Sequence, residues 1–337
     1  MTSRAKKMIF FVTIIVILFF VFKNIETDVV VRFVNNVSSD IDDNYQRKLR
    51  SQEYEWMHKK KVDLSGYSVM EDEPGKWYTK YHFISHAGGG IDGKTYTNSI
   101  QAWNLSYEKG NRVFDVDLAF TTDGVLVLRH HWDDNLEQGV AISEGEQWVD
   151  DNGMPRNSTP GFPVDYETFK KTKIYYQYDS MSCEDMLNYM AKHEDLYIAC
   201  DMKDDILSSY EYLVNLAKEM QLEEVLKRVI VNLYDYDLYE PIMQIYNFEN
   251  VTVRQHAVAP NNYYELAKFC LKNNIHVVNV SKCYIEDEGV QLLESYGIHV
   301  YIAISDYISD MKKYYALGIV GAVTNYLYEP DWIYISN

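Results

Sequence analysis

The sequence predicts an α/β fold, because short apolar runs typical of strands alternate with amphipathic stretches typical of helices from residue 81 onwards. This alternation is characteristic of βα units that build a parallel sheet. Eight strand units in about 255 residues match the size of a (β/α)8 TIM barrel, whose active site forms at the carboxyl ends of the strands. We expect such a barrel, preceded by one N-terminal transmembrane helix and a stalk.

The predicted strand units share β-branched and aromatic residues and are bounded by turn residues. In chain order they are 82–85, 112–120 continued by 125–131, 196–202, 228–233, 251–256, 276–280, 299–304 and 321–324. The second unit, counted as one extended strand, is the longest. Polar residues near the carboxyl ends of these units are the candidates for chemistry.

Helical periodicity fills the spaces between the strands. The stretches are 183–192, 207–220, 263–272, 286–296 and 308–317. The longest break in the alternation, residues 133–178, is rich in Gly, Pro, Asn and acidic residues. We expect an insertion there that lies over the mouth of the barrel.

The N-terminus carries an apolar run at residues 8–22, preceded by Arg4, Lys6 and Lys7. At 1.5 Å per residue, a helix of this length covers about 22 Å of a ~30 Å hydrocarbon layer. Either the flanking lysines extend their ammonium groups to the membrane surface, or the bilayer becomes thinner around the helix. A cleaved signal peptide is the alternative, but no small-residue cleavage site follows Phe22. We predict a cytoplasmic tail (1–7), a transmembrane signal-anchor (8–22), a stalk (23–76) and an extracytoplasmic barrel domain (77–337).

The net charge of -18 argues against a nucleic-acid partner, because affinity for a polyphosphate backbone comes from clustered Lys and Arg. The four cysteines have no CxxC spacing, so the sequence indicates neither a zinc site nor a disulfide framework. Buried thiols are the expectation for all four.

Two carboxylates alternate on one predicted strand. Because side chains at i and i+2 share a face, Asp115 and Asp117 would both point into the barrel. Carboxylates buried side by side repel each other unless a cation lies between them, and oxygen ligands favour Mg²⁺ or Ca²⁺. The alternative is a pair of solvated acids at a strand end.

A third acid follows the same logic. The strand at 196–202 places Asp201 and Lys203 on one face. Asp201 would complete a metal site, and Lys203 would hold a phosphate oxygen or neutralise charge. The alternative is a salt bridge inside the barrel between these carboxylates and Lys203, without a metal.

Two histidines follow apolar strands. His86 precedes three glycines, which allow backbone N–H groups to approach an anion, and His130 follows the apolar run 125–128. Two imidazoles beside paired acids favour general acid and base catalysis over a structural role.

A series of short motifs extends from residue 83 to residue 326. In order they are His86-Ala87-Gly88, Thr97-Asn98-Ser99, Asp115-Val116-Asp117, Thr122-Asp123-Gly124, Val125–Leu128, His130-His131, Asp201-Met202-Lys203 and Gly321-Ala322-Val323-Thr324-Asn325. The series resembles the glycerophosphodiester phosphodiesterase family, which belongs with the phosphatidylinositol-specific phospholipases C among TIM-barrel phosphodiesterases. Its pattern is His-Arg-Gly, Glu-Asn-Thr, Glu-x-Asp, Thr-x-Asp-Gly, an apolar strand, His-Asp, Glu-x-Lys and Gly-Ile-x-Thr-Asp.

The resemblance implies a role for each matching residue. It makes His86 and His130 the catalytic pair, Asp115, Asp117 and Asp201 the ligands of a divalent cation, Mg²⁺ or Ca²⁺, and Lys203, Asn98 and His131 substrate-site residues. Arg254 and His256 share a face of the fifth predicted strand. Either one of them replaces the arginine of the family's His-Arg-Gly motif as a phosphate donor, or both are ordinary polar residues of the barrel interior.

The chain departs from the family pattern at several positions. Ala87 replaces the arginine, which removes a bidentate phosphate donor. Asp115 and Asp201 replace glutamates, and His131 stands where an aspartate is expected, although spacing from Gly124 favours His130 as the histidine used. Because all three acid positions remain acids, the motifs still favour an active site.

We therefore predict a metal-dependent phosphodiester hydrolase. Its expected substrates are glycerophosphodiesters or related envelope phospholipid or glycerol-phosphate compounds, and its expected membrane partner is the bilayer holding residues 8–22. The rival hypothesis is a catalytically inactive barrel that binds a phosphate-containing envelope ligand or scaffolds a membrane complex.

Overall fold

A computed structural model describes residues 62–130, 132, 148–149, 155–156, 163–171, 173–175, 177–258 and 262–336. The strands are β1 (Phe83–Ser85), β2 (Val113–Phe120), β3 (Leu126–Leu128), β4 (Trp148–Val149), β5 (Pro155–Arg156), β6 (Lys173–Ile174), β7 (Tyr178–Asp179), β8 (Tyr197–Met202), β9 (Val229–Leu233), β10 (Asn250–Arg254), β11 (Val277–Ser281), β12 (His299–Ala303) and β13 (Gly321–Thr324). The helices are α1 (Ile100–Glu108), α2 (Tyr166–Lys171), α3 (Cys183–Lys192), α4 (Ile206–Glu219), α5 (Tyr239–Ile245), α6 (Gln255–Val258), α7 (Tyr263–Asn273), α8 (Asp287–Ser295), α9 (Ile308–Tyr315) and α10 (Ile333–Ser336).

Eight of these strands form a closed parallel barrel. Around the barrel the order is β1, β13, β12, β11, β10, β9, β8 and β2, and β1 pairs with both β13 and β2. The predicted (β/α)8 barrel is confirmed. Its strand positions agree with the sequence pattern because each run of β-branched and aromatic residues lies between turn residues.

Side chains of the barrel strands alternate between the helices and the interior, as the period of two requires. On β2, Phe114, Val116 and Leu118 belong to the outer core against the helices, whereas Val113 belongs to the inner core. Asp115 and Asp117 therefore share the interior face with Val113. The interior changes from apolar to charged along the strand direction.

The lower end of the barrel, at the amino ends of its strands, is closed by an aromatic cluster. Trp77 is 1% exposed and its ring centroid lies 5.5 Å from that of Tyr301. The Tyr301 hydroxyl donates to the Tyr81 carbonyl at 2.6 Å. Of the predicted stalk, residues 62–76 are described, and Leu64 and Met70 pack against the outer core.

The second predicted strand unit differs from the structure. Residues 112–131 do not form one extended strand, because Gly124 adopts a left-handed φ of 80° in a turn after β2. The chain then reverses, and β3 pairs antiparallel with β2, Leu126 opposite Phe120. The Thr-Thr-Asp-Gly sequence at 121–124 is a turn signal that favours this hairpin.

Most of the predicted insertion at 133–178 lies outside the described residues. Within it, β4 pairs antiparallel with β5, and β6 with β7. Cys183, Cys200 and Cys270 are buried free thiols, as expected, and Cys283 is half-buried.

No helix among the described residues is long and apolar enough to cross a membrane. The predicted tail, the anchor at 8–22 and stalk residues 23–61 lie outside the described part of the chain.

Candidate active site

Three carboxylates lie near the carboxyl ends of two neighbouring barrel strands. Asp115 and Asp117 are 4% and 3% exposed on the interior face of β2. Asp201 of β8 stands opposite Asp117 in the parallel register. The sequence-based expectation that these acids share one interior face agrees with this arrangement.

The Asp117 carboxylate is bound from two sides. Lys203 Nζ lies 2.9 Å from Oδ1, and Asn98 Nδ2 donates to Oδ2 at 2.9 Å. The Asn98 side-chain oxygen also accepts the Asp117 backbone amide at 3.2 Å, which fixes Asn98 against β2. Burial alone would raise the pKa of Asp117, but the Lys203 ammonium and the other favourable partners hold that pKa below its ordinary value.

The Asp115 carboxylate lies deeper and has different partners. Its Oδ1 accepts from Arg254 Nη2 at 2.9 Å and from Asn232 Nδ2 at 3.0 Å. Burial raises the pKa of Asp115 in spite of the Arg254 guanidinium. Although burial disfavours a charged guanidinium, the Asp115 carboxylate raises the pKa of Arg254 above its ordinary value.

Lys203 is a cation shared by two acids. Its Nζ lies 2.8 Å from Asp201 Oδ2 as well as 2.9 Å from Asp117 Oδ1. Burial opposes the charge on the ammonium, but the two carboxylates raise the pKa of Lys203 above its ordinary value. This lysine therefore lies between the acids as a fixed positive charge.

The three carboxylates supply the oxygen donors that a hard divalent cation prefers, but their arrangement does not fit one. Among the described residues, no group of three or more His, Cys, Asp or Glu side chains is arranged to hold a metal ion. The Lys203 ammonium and the Arg254 guanidinium already pair with these acids. The divalent cation predicted from the sequence stays a prediction.

His86 follows β1 directly and is 8% exposed. Its Nδ1 lies 3.0 Å from the side-chain oxygen of Asn325, which follows β13. The Asn325 Nδ2 donates to Asp306 Oδ2 at 2.9 Å. One ring nitrogen of His86 is therefore held by residues that follow the neighbouring strands β13 and β12.

The glycines after His86 have a packing role. A Cβ atom on Gly88 would overlap the Trp103 ring, and one on Gly90 would overlap the Tyr326 ring. The Gly90 amide donates to the Asn325 carbonyl at 2.7 Å. Two aromatic rings therefore require the absence of side chains at these positions; the approach of an anion to the backbone N–H groups stays a prediction.

His130 reaches the site by another route than predicted. It follows β3, which runs antiparallel to β2, and the Arg129 amide donates to the Asp117 carbonyl at 2.9 Å. His130 Nε2 consequently lies 4.0 Å from Asp117 Oδ1. The hairpin, and not the carboxyl end of a parallel strand, carries this imidazole beside the carboxylates.

Tyr96 lies between the two imidazoles. Its ring centroid is 4.3 Å from that of His86 and 5.1 Å from that of His130, and both contacts are edge-on at 81° and 83°. Burial, followed by the Asp117 charge, raises the pKa of the Tyr96 hydroxyl. The two histidines therefore face one aromatic spacer above the carboxylates.

The structure brings most of the predicted site residues together. One cluster contains His86, His130, Asp115, Asp117, Asp201, Lys203, Asn98 and Arg254. His131 lies outside the described residues. The expectation that residue 256 lies on a strand is wrong, because β10 ends at Arg254 and α6 begins at Gln255.

Sequence reasoning assigned no site role to four polar residues of this cluster. They are Tyr96, Asn232, Asp306 and Asn325, of which Asn325 was named only as the end of the last motif. Asn232 and Asn325 lie near the carboxyl ends of barrel strands, where polar residues in this fold line the active site, so their position was a usable signal. Tyr96 and Asp306 lie in loops and carried no such signal.

The sequence matches a known protein family. The sequence model of the family described as "Glycerophosphoryl diester phosphodiesterase family" matches residues 86–329. No curated protein matches this chain.

Solved structures share the fold. A glycerophosphoryl diester phosphodiesterase from Parabacteroides distasonis is 15% identical, with a TM-score of 0.55 over 81% of this chain and 90% of that one. A phosphodiesterase from Oleispira antarctica, in complex with the product sn-glycerol-3-phosphate, is 12% identical, with a TM-score of 0.57 over 76% of this chain and 97% of that one. At these identities the similarity establishes the barrel fold alone.

Proposed function

This chain belongs to the glycerophosphoryl diester phosphodiesterase family and is a phosphoric diester hydrolase. We propose that it cleaves glycerophosphodiesters with His86 as the base and His130 as the acid. The observation that carries the proposal is the pair of imidazoles on either side of Tyr96, above a cluster of carboxylates and fixed cations.

The two histidines have different partners, and the difference supports different roles for them. His130 Nε2 lies 4.0 Å from the Asp117 carboxylate, which stabilises a positive charge on the ring. His86 Nδ1 faces the neutral amide of Asn325. In the proposed reaction His86 takes a proton from the nucleophile, and His130 gives a proton to the leaving alcohol oxygen.

The charge of the cluster agrees with one protonated imidazole. The carboxylates of Asp115, Asp117 and Asp201 outnumber the cations of Lys203 and Arg254, so the cluster is negative when both histidines are neutral. A phosphodiester anion would then be repelled. A proton on one histidine reduces that negative charge and also supplies the acid that the leaving group needs.

The nucleophile is water or, for a glycerophosphodiester, the neighbouring glycerol hydroxyl, which would give a cyclic phosphate first. Both are consistent with a base at His86. The proposed substrates are glycerophosphodiesters and related envelope phospholipid or glycerol-phosphate compounds. The glycerol phosphate bound by the Oleispira antarctica protein is the type of product that this reaction would release.

Lys203 and Arg254 are the proposed sources of fixed positive charge near the phosphoryl oxygens. Arg254 is 6% exposed and paired with Asp115, so it acts on the charge balance of the site more than as an exposed phosphate clamp. We derive no step through a divalent cation, since among the described residues these carboxylates pair with Lys203 and Arg254 and no group of three or more is arranged to hold a metal ion.

The test is hydrolysis of glycerophosphocholine, glycerophosphoethanolamine and bis(p-nitrophenyl) phosphate in Mg²⁺, in Ca²⁺ and in EDTA. We expect turnover of at least one diester, reduced roughly 10²- to 10⁴-fold by His86→Ala and by His130→Ala. Loss of turnover in EDTA with recovery in Mg²⁺ or Ca²⁺ would support the predicted cation. An absence of turnover under all three conditions would refute the enzymatic proposal.

The second candidate is a barrel that binds a phosphate-containing envelope ligand, or scaffolds a membrane complex, without cleaving it. Ala87 favours this candidate, because the side chain standing in the place of the family arginine is a methyl group only 1% exposed. Calorimetric binding of glycerophosphocholine without turnover would select it over hydrolysis.

We also propose that residues 8–22 anchor the chain and that the barrel is extracytoplasmic. The apolar run and the basic residues before it are the support for this proposal. Alkaline extraction of membranes should leave the full chain in the pellet and release a form lacking residues 1–24; release of both would overturn the proposal.

A further inference from the structure

A chain of hydrogen bonds ties His86 to a carboxylate that it does not touch. His86 Nδ1 lies 3.0 Å from Asn325 Oδ1, and Asn325 Nδ2 lies 2.9 Å from Asp306 Oδ2. Asp306 lies in the loop between β12 and α9, and Asn325 follows β13. The three side chains come from two neighbouring strand ends.

The donors in this chain of bonds are determined by Asp306. Its carboxylate accepts from the Thr324 hydroxyl at 2.8 Å, from the Asn325 backbone amide at 2.6 Å and from the Asn325 side-chain amide. A carboxylate has no proton to give, so the NH₂ group of Asn325 must face it. The oxygen of the same amide then faces His86 and accepts only, so Nδ1 of His86 must carry the proton.

We propose that Asp306, acting through Asn325, is a positioning residue that holds the proton of His86 on Nδ1 and keeps Nε2 available as the basic nitrogen. This inference rests on the proposed function for its consequence in catalysis, but the tautomer itself exists with or without turnover. Because imidazole has one basic nitrogen, the wrong tautomer would remove the base without moving the ring.

The arrangement differs from the family pattern, which has aspartate in place of Asn325. A carboxylate in direct contact with His86 would fix the same tautomer but would also stabilise a positive charge on the ring. The neutral amide separates these two effects. It orients the proton and leaves the carboxylate one side chain away from the ring.

Asp306→Asn is the decisive substitution, because it keeps the size of the side chain while it reverses the direction of one hydrogen bond and removes one negative charge. The amide oxygen introduced at position 306 can still accept from Thr324 and from the Asn325 backbone, while its NH₂ group faces Asn325. The Asn325 amide must then turn over and present its own NH₂ group to His86. The proton of His86 would move to Nε2, and the base would be lost.

Nuclear magnetic resonance of ¹⁵N-histidine-labelled protein reads the tautomer directly, with the His86 signals assigned by their absence in His86→Gln. We expect Nδ1–H in the unsubstituted protein and Nε2–H in Asp306→Asn. We also expect kcat to fall roughly 10²- to 10⁴-fold in Asp306→Asn, with KM within about twofold, since other enzymes lose catalysis to this extent when a histidine holds the wrong tautomer.

The double substitution Asp306→Asn with Asn325→Asp is the rescue variant. It restores an acceptor beside His86 and a donor between the two side chains, so the Nδ1–H tautomer should return and kcat should recover to within about tenfold of the unsubstituted enzyme. Because a carboxylate then touches His86, the acidic limb of the pH–activity profile should move to higher pH. Asp310→Asn, a neighbouring acid on α9 whose carboxylate pairs with Lys313, is the matched control and should change neither readout.

An Nε2–H tautomer in the unsubstituted protein would overturn the inference, as would an unchanged tautomer in Asp306→Asn. If Asp306→Asn does not fold, the tautomer of the unsubstituted protein remains the test, and an Nε2–H signal there overturns the inference. Absence of turnover in the unsubstituted protein would count against the proposed function only, because the tautomer is measured without substrate.

Discussion

The two ends of the barrel interior are built on the same eight strands but from opposite kinds of side chain. The lower end is filled by Trp77, Tyr301 and small aliphatic residues. The upper end holds Asp115, Asp117 and their cations. The apolar end stabilises the fold through burial of its side chains. The charged end lowers the stability of the fold, because charged groups lose their hydration when they are buried.

The largest expected effect comes from removing a reacting group at the upper end, which should affect catalysis much more than stability. His86→Ala should lower kcat roughly 10²- to 10⁴-fold, because the proposed base is lost, while the free energy of unfolding falls by no more than about 2 kcal/mol. Diester hydrolysis and urea unfolding measure the two effects. His193→Ala removes an imidazole from the end of α3, outside the site, and serves as the control; equal losses of activity in both variants would contradict the assignment.

The converse substitution is at the lower end. Trp77→Ala removes a buried ring that packs on Tyr301, and we expect the free energy of unfolding to fall by about 3 to 5 kcal/mol. Under conditions where the variant is folded, kcat should stay within about twofold. A loss of kcat that exceeds the loss of folded protein would show that the two ends are coupled.

The lower end also carries a pH-dependent contribution to stability. His276 stacks on Tyr78, and burial lowers the pKa of His276 despite nearby Glu73 and Asp72, with His299 and Lys76 also lowering it. The unfolded chain then binds a proton more readily than the folded one. This contribution to stability is therefore fully present above the ordinary histidine pKa of 6.5 and is lost as the pH falls below it.

His276→Phe keeps the stack on Tyr78 and removes this titration. Its melting temperature should therefore decline less than that of the unsubstituted protein between about pH 7.5 and pH 5. Differential scanning calorimetry across that range measures the difference. Parallel declines in the two proteins would mean that other groups account for the acid sensitivity.

The smallest effect is expected from removing the hydroxyl oxygen of Tyr96 at the upper end. Tyr96 contacts both imidazoles through its ring, and its hydroxyl makes no hydrogen bond to any of the described residues. Tyr96→Phe should therefore change kcat by less than about threefold, whereas Tyr96→Ala should lower it by more, since the spacer between the histidines is lost. A large loss in Tyr96→Phe would assign the hydroxyl a chemical role.

The comparison also explains what could be predicted from the sequence. The eight barrel strands and most helices follow from periodicity and turn residues, and the interior position of Asp115 and Asp117 follows from their i and i+2 spacing. The reversal at β3 was not predicted, because a short apolar run indicates a strand but not whether that strand runs parallel or antiparallel to its neighbour. The Thr-Thr-Asp-Gly turn before it was the signal.

The partners of the site residues were harder to predict. Arg254 binds Asp115 across 139 positions, and Asn325 binds His86 across 239. A sequence pattern shows how many carboxylates are present but not which cations form ion pairs with them. Tyr96 lies in a loop with a left-handed φ of 60°, where periodicity gives no information.

The shortest barrel strand links folding to the site. β1 has three residues, and it pairs with β13 on one side and with β2 on the other, while the Phe83 amide donates to Glu329 at 2.8 Å. Separation of β1 would open the barrel and release His86 in the same event. Heat inactivation and global unfolding should therefore be a single cooperative transition, without a partly open form that retains activity.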